Sequence, residues 1–369
     1  MLVREFVISA SLLKPTRLLR LLLLAAAPSF AISANSAWAQ SEPITSSEVA
    51  AIVERLRGPK LDNPTVQAAL AAGQTLLKAK RYSEAAGVFR SVLASRPDES
   101  MALYGAALAL FNLRRPAEAE PLAKAAADRL LREVSTRKIG ATSAQRISAA
   151  DALVLQAVIQ AVRGNDSAAL KSSELAVKIS PEHFDAQFTY GRALFSVGDT
   201  AQAAKVFQRA VTLKPSDLQA LFFLGTTLEK TGDVEGAIKT YRQIIVNSPQ
   251  AAEGHLGIGI LLVRRSGSDG EEGIRELERA LAIDGNLYEA RVALGRALLT
   301  RGRLEESVEH LVRAVELVPG NPEPHYQLSL AYRRLGLTDK AEQETAAVRR
   351  IHEARRGTNI QSKSQTAPK

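Results

Sequence analysis

Residues 218–251 read LQALFFLGTTLEKTGDVEGAIKTYRQIIVNSPQA. Leu221, Leu224, Gly225 and Leu228 recur at helical spacing, Gly232 interrupts them, and Ala237, Tyr241 and Ile244 resume the period before Pro249. That is the pattern of two amphipathic helices joined by a tight turn. The preceding stretch repeats it with Tyr190, Gly191, Leu194, Gly198, Ala203, Phe207, Ala210 and Pro215. Tracking one small position along the chain gives Ala85, Ala119, Ala169, Ala203, Ala237, Gly273, Ser307 and Ala341, in steps of 34, 50, 34, 34, 36, 34 and 34 residues. A helix pair returning at this period cannot bury its apolar face alone, so its stability must come from stacking on its neighbours.

Each recurring residue type has a physical task. Gly225 and Ala237 belong where the two helices of a hairpin touch, because a larger side chain would hold them apart. Phe207 and Tyr241 are suited to fill the space between one hairpin and the next. Gly198, Gly232, Gly302 and Gly336 fall at the turn inside the hairpin, where a positive φ is expected. Pro215, Pro249 and Pro319 follow the second helix, which a ring without an N–H cannot extend.

These motifs resemble the tetratricopeptide repeat family over residues 64–355. The resemblance implies an all-α, right-handed solenoid of about eight hairpins, spanning residues 65–355, and a role in binding other proteins. It further implies a concave ligand-facing surface made by positions 2, 5, 6, 9, 12 and 13 of each first helix, counting 34 residues per unit from Leu218 as position 1 of the fifth. On that count the groove holds Tyr104, Phe111, Phe188, Arg192, Phe195, Phe222, Phe223, Arg296, Tyr326 and Arg333. Phe111, Phe188, Arg192, Phe195, Phe222 and Phe223 are expected to form one continuous exposed patch, since aromatics left on a surface call for a covering partner. The alternative for the same rings is ordinary core between hairpins. Two known uses of such grooves do not fit. The lysine and asparagine pair that grips acidic chaperone tails is missing at positions 5 and 9. The asparagine ladder of the O-GlcNAc transferases is missing at position 6, which reads Ala71, Gly105, Leu155, Thr189, Phe223, Gly257, Ala293 and Gln327. An amphipathic helix or apolar extended segment of another protein is the expected ligand.

The first 39 residues follow other rules. Arg4, Lys14, Arg17 and Arg20 precede an apolar run at residues 21–32, which leads to Ala37-Trp38-Ala39. This reads as a secretory signal peptide, with an uncleaved anchor or a mitochondrial presequence as alternatives. The run is shorter than the roughly 20 residues of an ordinary membrane span. With no cysteine in the chain, disulfides, thiolate metal sites and cysteine catalysis are excluded. Residues 40–64 read as a linker with a short helix near residues 49–57.

Net charge is +9, but the first 39 residues supply +3 and residues 349–369 supply +5, leaving about +1 for the repeats. Residues 356–369 read as a disordered basic tail capable of weak contact with anionic lipid or an acidic partner. No basic stripe follows the helices, which argues against a nucleic-acid ligand.

The step of 50 places an insertion at about residues 129–147. Leu130, Leu131 and Val134 lengthen the preceding helix, and residues 135–146, with Gly140, form a polar loop. A smaller insertion at residues 266–270 reads as a surface turn. No constellation for catalysis, cofactor or metal emerges. His255 and His325 share one inward-facing repeat position, and a metal would need a second ligand at helical spacing or a carboxylate in register. Gly254, Gly257 and Gly259 lie within a helix and not between a strand and a helix, so no phosphate loop is read there. The expected function is a non-catalytic binding scaffold or assembly adaptor outside the cytoplasm. A self-associating structural component and a carbohydrate-binding or enzyme-associated module are the alternatives.

Overall fold

The computed structural model describes residues 44–56, 62–136, 141–265 and 269–364. The signal-like segment, the turn at residues 266–268 and the last five residues lie outside them. The described residues hold 17 helices and no strand. A first helix, α1 (Ser46–Leu56), precedes eight antiparallel pairs. These are α2 (Asn63–Lys78) with α3 (Tyr82–Ser95), α4 (Ser100–Asn112) with α5 (Pro116–Thr136), α6 (Ser143–Val162) with α7 (Asp166–Ile179), and α8 (Phe184–Val197) with α9 (Thr200–Leu213). They continue as α10 (Leu218–Thr231) with α11 (Val234–Asn247), α12 (Ala252–Arg265) with α13 (Asp269–Ile283), α14 (Tyr288–Thr300) with α15 (Leu304–Leu317), and α16 (Pro322–Arg334) with α17 (Thr338–Ser364). The described chain falls into two bodies, residues 44–214 and 215–364, within each of which every hairpin packs on the next.

The small position is a contact point in every unit. Ala85, Ala119, Ala203, Ala237 and Ser307 are 0 % exposed, and Ala169 and Ala341 no more than 3 %. At Gly273 a Cβ would lie 2.8 Å from the Val263 backbone nitrogen, so no side chain fits. Ser307 uses its hydroxyl to donate to the Gly295 carbonyl at 2.7 Å, which removes the cost of burying it.

In some seams a single ring locks two hairpins together. A Cβ on Gly73 would stand 2.5 Å from Phe89, and one on Gly105, in the next hairpin, 2.3 Å from the same ring. Tyr241 does the same between Gly225 and Gly257, at 2.6 Å from each. Where the ring position holds a small residue, the facing position of the next hairpin grows. Ala123 is followed by Leu155, and Ser173 by Thr189, all buried. Volume is thus conserved across the seam although the residues change.

The turns follow the glycine expectation at Gly198, Gly232, Gly302 and Gly336, with φ between 76° and 91°. In the first two units the same turn is made by Lys80 and Arg114, at φ 59° and 61°. Asp62, Thr142, His183, Asp199, Asp217, Asp233 and Asn321 each cap a helix with a side chain that accepts an N–H two or three residues on, as Asp217 does from Ala220 at 2.9 Å.

Three expected boundaries shift. α1 is not a lone helix: Val49 and Leu56 are buried in the core of the first hairpins, and Arg81 donates to the Ile44 carbonyl and to Ser46 Oγ. The long insertion is mostly helix, because α5 runs to Thr136 and α6 already begins at Ser143. A reciprocal cap, Thr142 with Gln145, starts α6. The expected Gly140 loop lies outside the described residues. At the other end α17 continues to Ser364, through most of the segment expected to be disordered. None of the described helices is long and apolar enough to cross a membrane.

Candidate functional site

The first helix of each hairpin touches the first helix of the next within each body, so residues at one position form a row. In residues 44–214 the rows do not present the expected rings. Tyr104, Phe188, Arg192 and Phe195 are all buried, and Phe111 is half-buried. Phe188 stacks on Phe184 at 5.8 Å and meets Phe207 of its own hairpin at 6.0 Å. The Arg192 guanidinium lies 5.8 Å from the Phe188 ring, and burial lowers its pKa to about 10. Burial, with Asp151 and Asp185 nearby, pushes the Tyr104 hydroxyl up, so it stays protonated.

In residues 215–364, Phe223 is buried while Phe222 is half-buried, 6.2 Å from Phe223 and 6.3 Å from Tyr241. The expected exposed aromatic patch is therefore corrected: Tyr104, Phe188, Phe195 and Phe223, with Arg192, are covered side chains. The accessible members of the ten are Phe111, Phe222, Arg296, Tyr326 and Arg333, with Tyr326 54 % exposed. Leu330, on the same helix as Tyr326, and Leu256, Ile260 and Val263, at positions 5, 9 and 12 of α12 two hairpins earlier, are each half-buried.

Charges of both signs flank these apolar rows. On one side Arg264 pairs with Glu229, and Arg334 donates to the Leu299 carbonyl at 2.8 Å. Arg296 lies 3.9 Å from Glu323. On the other side, at position 2, stand Glu253, Glu289 and Glu323. Among the described residues Glu253 and Glu289 have no ion-pair partner. Glu289 is half-buried, and desolvation raises its pKa.

The histidines acquire partners that the sequence reading did not assign. His255 Nδ1 lies 2.6 Å from Glu276, and His325 Nδ1 lies 2.5 Å from Glu344. Both pairs join position 4 to position 23 of a hairpin, and the hairpin between them places Arg291 and His310 there, 3.3 Å apart. His183 accepts from the Ala186 N–H and faces Asp151 at 3.2 Å. The matching register of histidine and glutamate was the available signal. Among the described residues no group of three or more such side chains could hold a metal ion.

Family patterns described as "Tetratricopeptide repeat" and "TPR repeat" match residues 70–131 with 188–252, and residues 295–336, respectively. No curated protein matches the chain. Among solved structures, a tetratricopeptide repeat protein from Parabacteroides merdae is similar at TM-score 0.52 and 14 % identity, over 68 % of this chain and 93 % of that one. The C-terminal part of a TPR repeat-containing protein from Cytophaga hutchinsonii gives TM-score 0.52 and 14 % identity over 70 % and 99 %. Pseudomonas aeruginosa pilF gives 0.50 and 14 % over 56 % and 94 %. At such identities the likeness concerns the fold, which these structures share. Matched stretches, hairpin packing and fold agree: residues 70–131, 188–252 and 295–336 carry tetratricopeptide repeats, within a fold of the same kind.

Proposed function

We propose that this protein is a non-catalytic scaffold outside the cytoplasm that holds a segment of another protein on the first-helix face of residues 215–364. Members of the family generally mediate protein–protein interaction. The observation that carries the reading is the row set that includes Tyr326: a large ring 54 % exposed with half-buried Leu330 on α16, and half-buried Leu256 and Ile260 at the same positions two hairpins earlier on α12. Such a surface gains from being covered, by roughly 1.5–3 kcal/mol for each large apolar side chain fully removed from water. Export rests on the basic, apolar and Ala37-Trp38-Ala39 order of the first 39 residues.

A Tyr326→Ala, Leu330→Ser double variant tests the face. Partner capture and melting temperature are measured on one sample. Loss of capture with a melting temperature within a few degrees of the parent supports the reading. Unchanged capture removes it. Export is tested separately by fractionating cells and sequencing the N-terminus of the recovered chain; a cytoplasmic chain beginning at Met1 would overturn it.

A further inference from the structure

We infer that the second half of α17 is a docking surface for anionic lipid headgroups, built on Arg349, Arg350 and Arg356. The inference is independent of the first-helix face and concerns another part of the same body. Its first ground is length. The last hairpin pairs the 13 residues of α16 with the 27 of α17, about 20 Å of helix against about 40 Å. Both helices start from the turn at residues 335–337, so the pairing is used up near Arg350. Arg355 marks the limit: it donates to the Gly320 carbonyl at 2.8 Å, two residues before α16 begins. The stretch Arg349–Arg356 therefore lies at the edge of the repeat core, on an ordered helix.

The second ground is charge. Residues 349–356 read RRIHEARR, four arginines against Glu353, and all four are exposed. In the repeats an arginine with a glutamate three residues on is paired with it, as in Arg81–Glu84, Arg115–Glu118, Arg303–Glu306 and Arg313–Glu316. Arg350 and Glu353 have that spacing too. Yet among the described residues Arg349, Arg350 and Arg356 have no ion-pair partner. Two ordinary roles for these arginines fall short. Basic residues near a helix C-terminus favour the dipole, but only within the last turn. Arg356 stands more than two turns before Ser364, where α17 ends. Charges that merely keep a surface soluble are of mixed sign, as in the first half of this helix, with Asp339, Lys340, Glu342 and Glu344. The second half changes to one sign, and residues 349–369 together carry +5.

The character of the surface selects its occupant. At about 100° per residue, Arg349 and Arg356 share one side of the helix, with Arg350 roughly a quarter-turn or more away. The exposed side chains among them are Glu353 and Ala354, and Ile351 is half-buried. A folded protein partner is held by large apolar or aromatic anchors seated in pockets, and this stretch offers none. A bilayer with anionic headgroups asks for nothing more than clustered positive charge, because each basic residue near it adds its own increment of attraction. Without an apolar face the helix rests on the headgroups and does not enter the acyl region. A body so attached brings its first-helix face close to a membrane surface.

The chain has no cysteine, so Ala354→Cys provides a single site for an environment-sensitive fluorophore on this stretch, and Val246→Cys a control site on α11. A label at 354 reports the α17 contact separately from any that the basic first 39 residues make. The full chain is titrated with phosphatidylcholine vesicles containing about 30 % phosphatidylglycerol, and with phosphatidylcholine alone. The label at 354 is expected to respond to the anionic vesicles, not to the neutral ones, and to lose its response in about 1 M salt, where the Debye length is about 3 Å. The label at 246 should not respond. An Arg349→Gln, Arg350→Gln, Arg356→Gln variant should weaken the vesicle affinity read at 354 by at least about tenfold. An Arg90→Gln, Arg132→Gln, Arg275→Gln variant removes the same charge from exposed positions in the repeats and should stay within about twofold of the parent. Equal weakening by the two variants, an equal response to neutral vesicles, or no response at 354 overturns the inference. Tighter binding to a polyglutamate peptide than to the anionic vesicles assigns the surface to an acidic protein and overturns the lipid assignment.

Discussion

The ring of Tyr241 determines how large two other residues can be. It fills the seam, and Gly225 and Gly257 are glycines because a Cβ at either would come within 2.6 Å of it. Gly257→Ala should therefore destabilise the protein by roughly 1–3 kcal/mol. In a Tyr241→Leu background the same change should cost less, since Leu277 and Ala293 already coexist one unit on in the corresponding positions. Urea melts of the four proteins give the coupling; additive losses would show that ring and glycine do not share the space. Lys80 and Arg114 offer the opposite case. Each stands at a positive φ that its Cβ resists, so Lys80→Gly and Arg114→Gly should each raise stability by roughly 0.5–1 kcal/mol. A fall in melting temperature would mean that their side chains contribute more than the strain costs. At His310, burial and then the neighbouring Arg291 lower the pKa from 6.5, with Arg303 also opposing the charge and Glu306 and Glu309 favouring it. A lowered folded-state value means that the unfolded chain takes up the proton first. The stability tied to the neutral ring is whole above about pH 6.5 and is lost as pH falls through the lowered value. Thermal melts from pH 8 to pH 5 should drop less for His310→Gln than for the parent. Parallel curves would remove His310 from the account.

Helix pairs were legible wherever the 34-residue register held, because each task in the hairpin is met by a characteristic residue type. Gly225, Ala237 and Gly232 announced a contact, a second contact and a turn, and the structure places all three so. The register said less where it broke. Residues 135–146 are polar, which suits a loop, yet polar residues also suit the exposed faces of helices, and helix is found up to Thr136 and again from Ser143. Thr142 and Gln145 were the local signal for it. Thr142→Ala should cost about 0.5–2 kcal/mol and open the first turn of α6. Hydrogen exchange at Gln145 and Arg146 reads this directly; unchanged protection there would show that packing alone holds the helix start. Phe223 shows a second limit: position along a helix identifies a face but does not say whether that face is covered, and Phe223 is covered.

Across the whole chain, charge and apolar surface are distributed for different purposes. The excess positive charge lies in the first 39 residues and in residues 349–369, while the repeats are nearly balanced. The candidate site was only partly legible. Tyr326 and Arg333 could be placed on a surface from register alone, whereas Arg192 could not be recognised as buried, since arginines are rarely covered to that degree. The most direct test of the account is site-specific photo-crosslinking in the cells that make the protein, with the photoreactive side chain at position 326 or at 246. Val246 is 78 % exposed but lies on a second helix, away from the proposed face. The account predicts a discrete crosslinked partner from position 326 and none from position 246. Crosslinks from position 246 alone, or the same products from both, would contradict it.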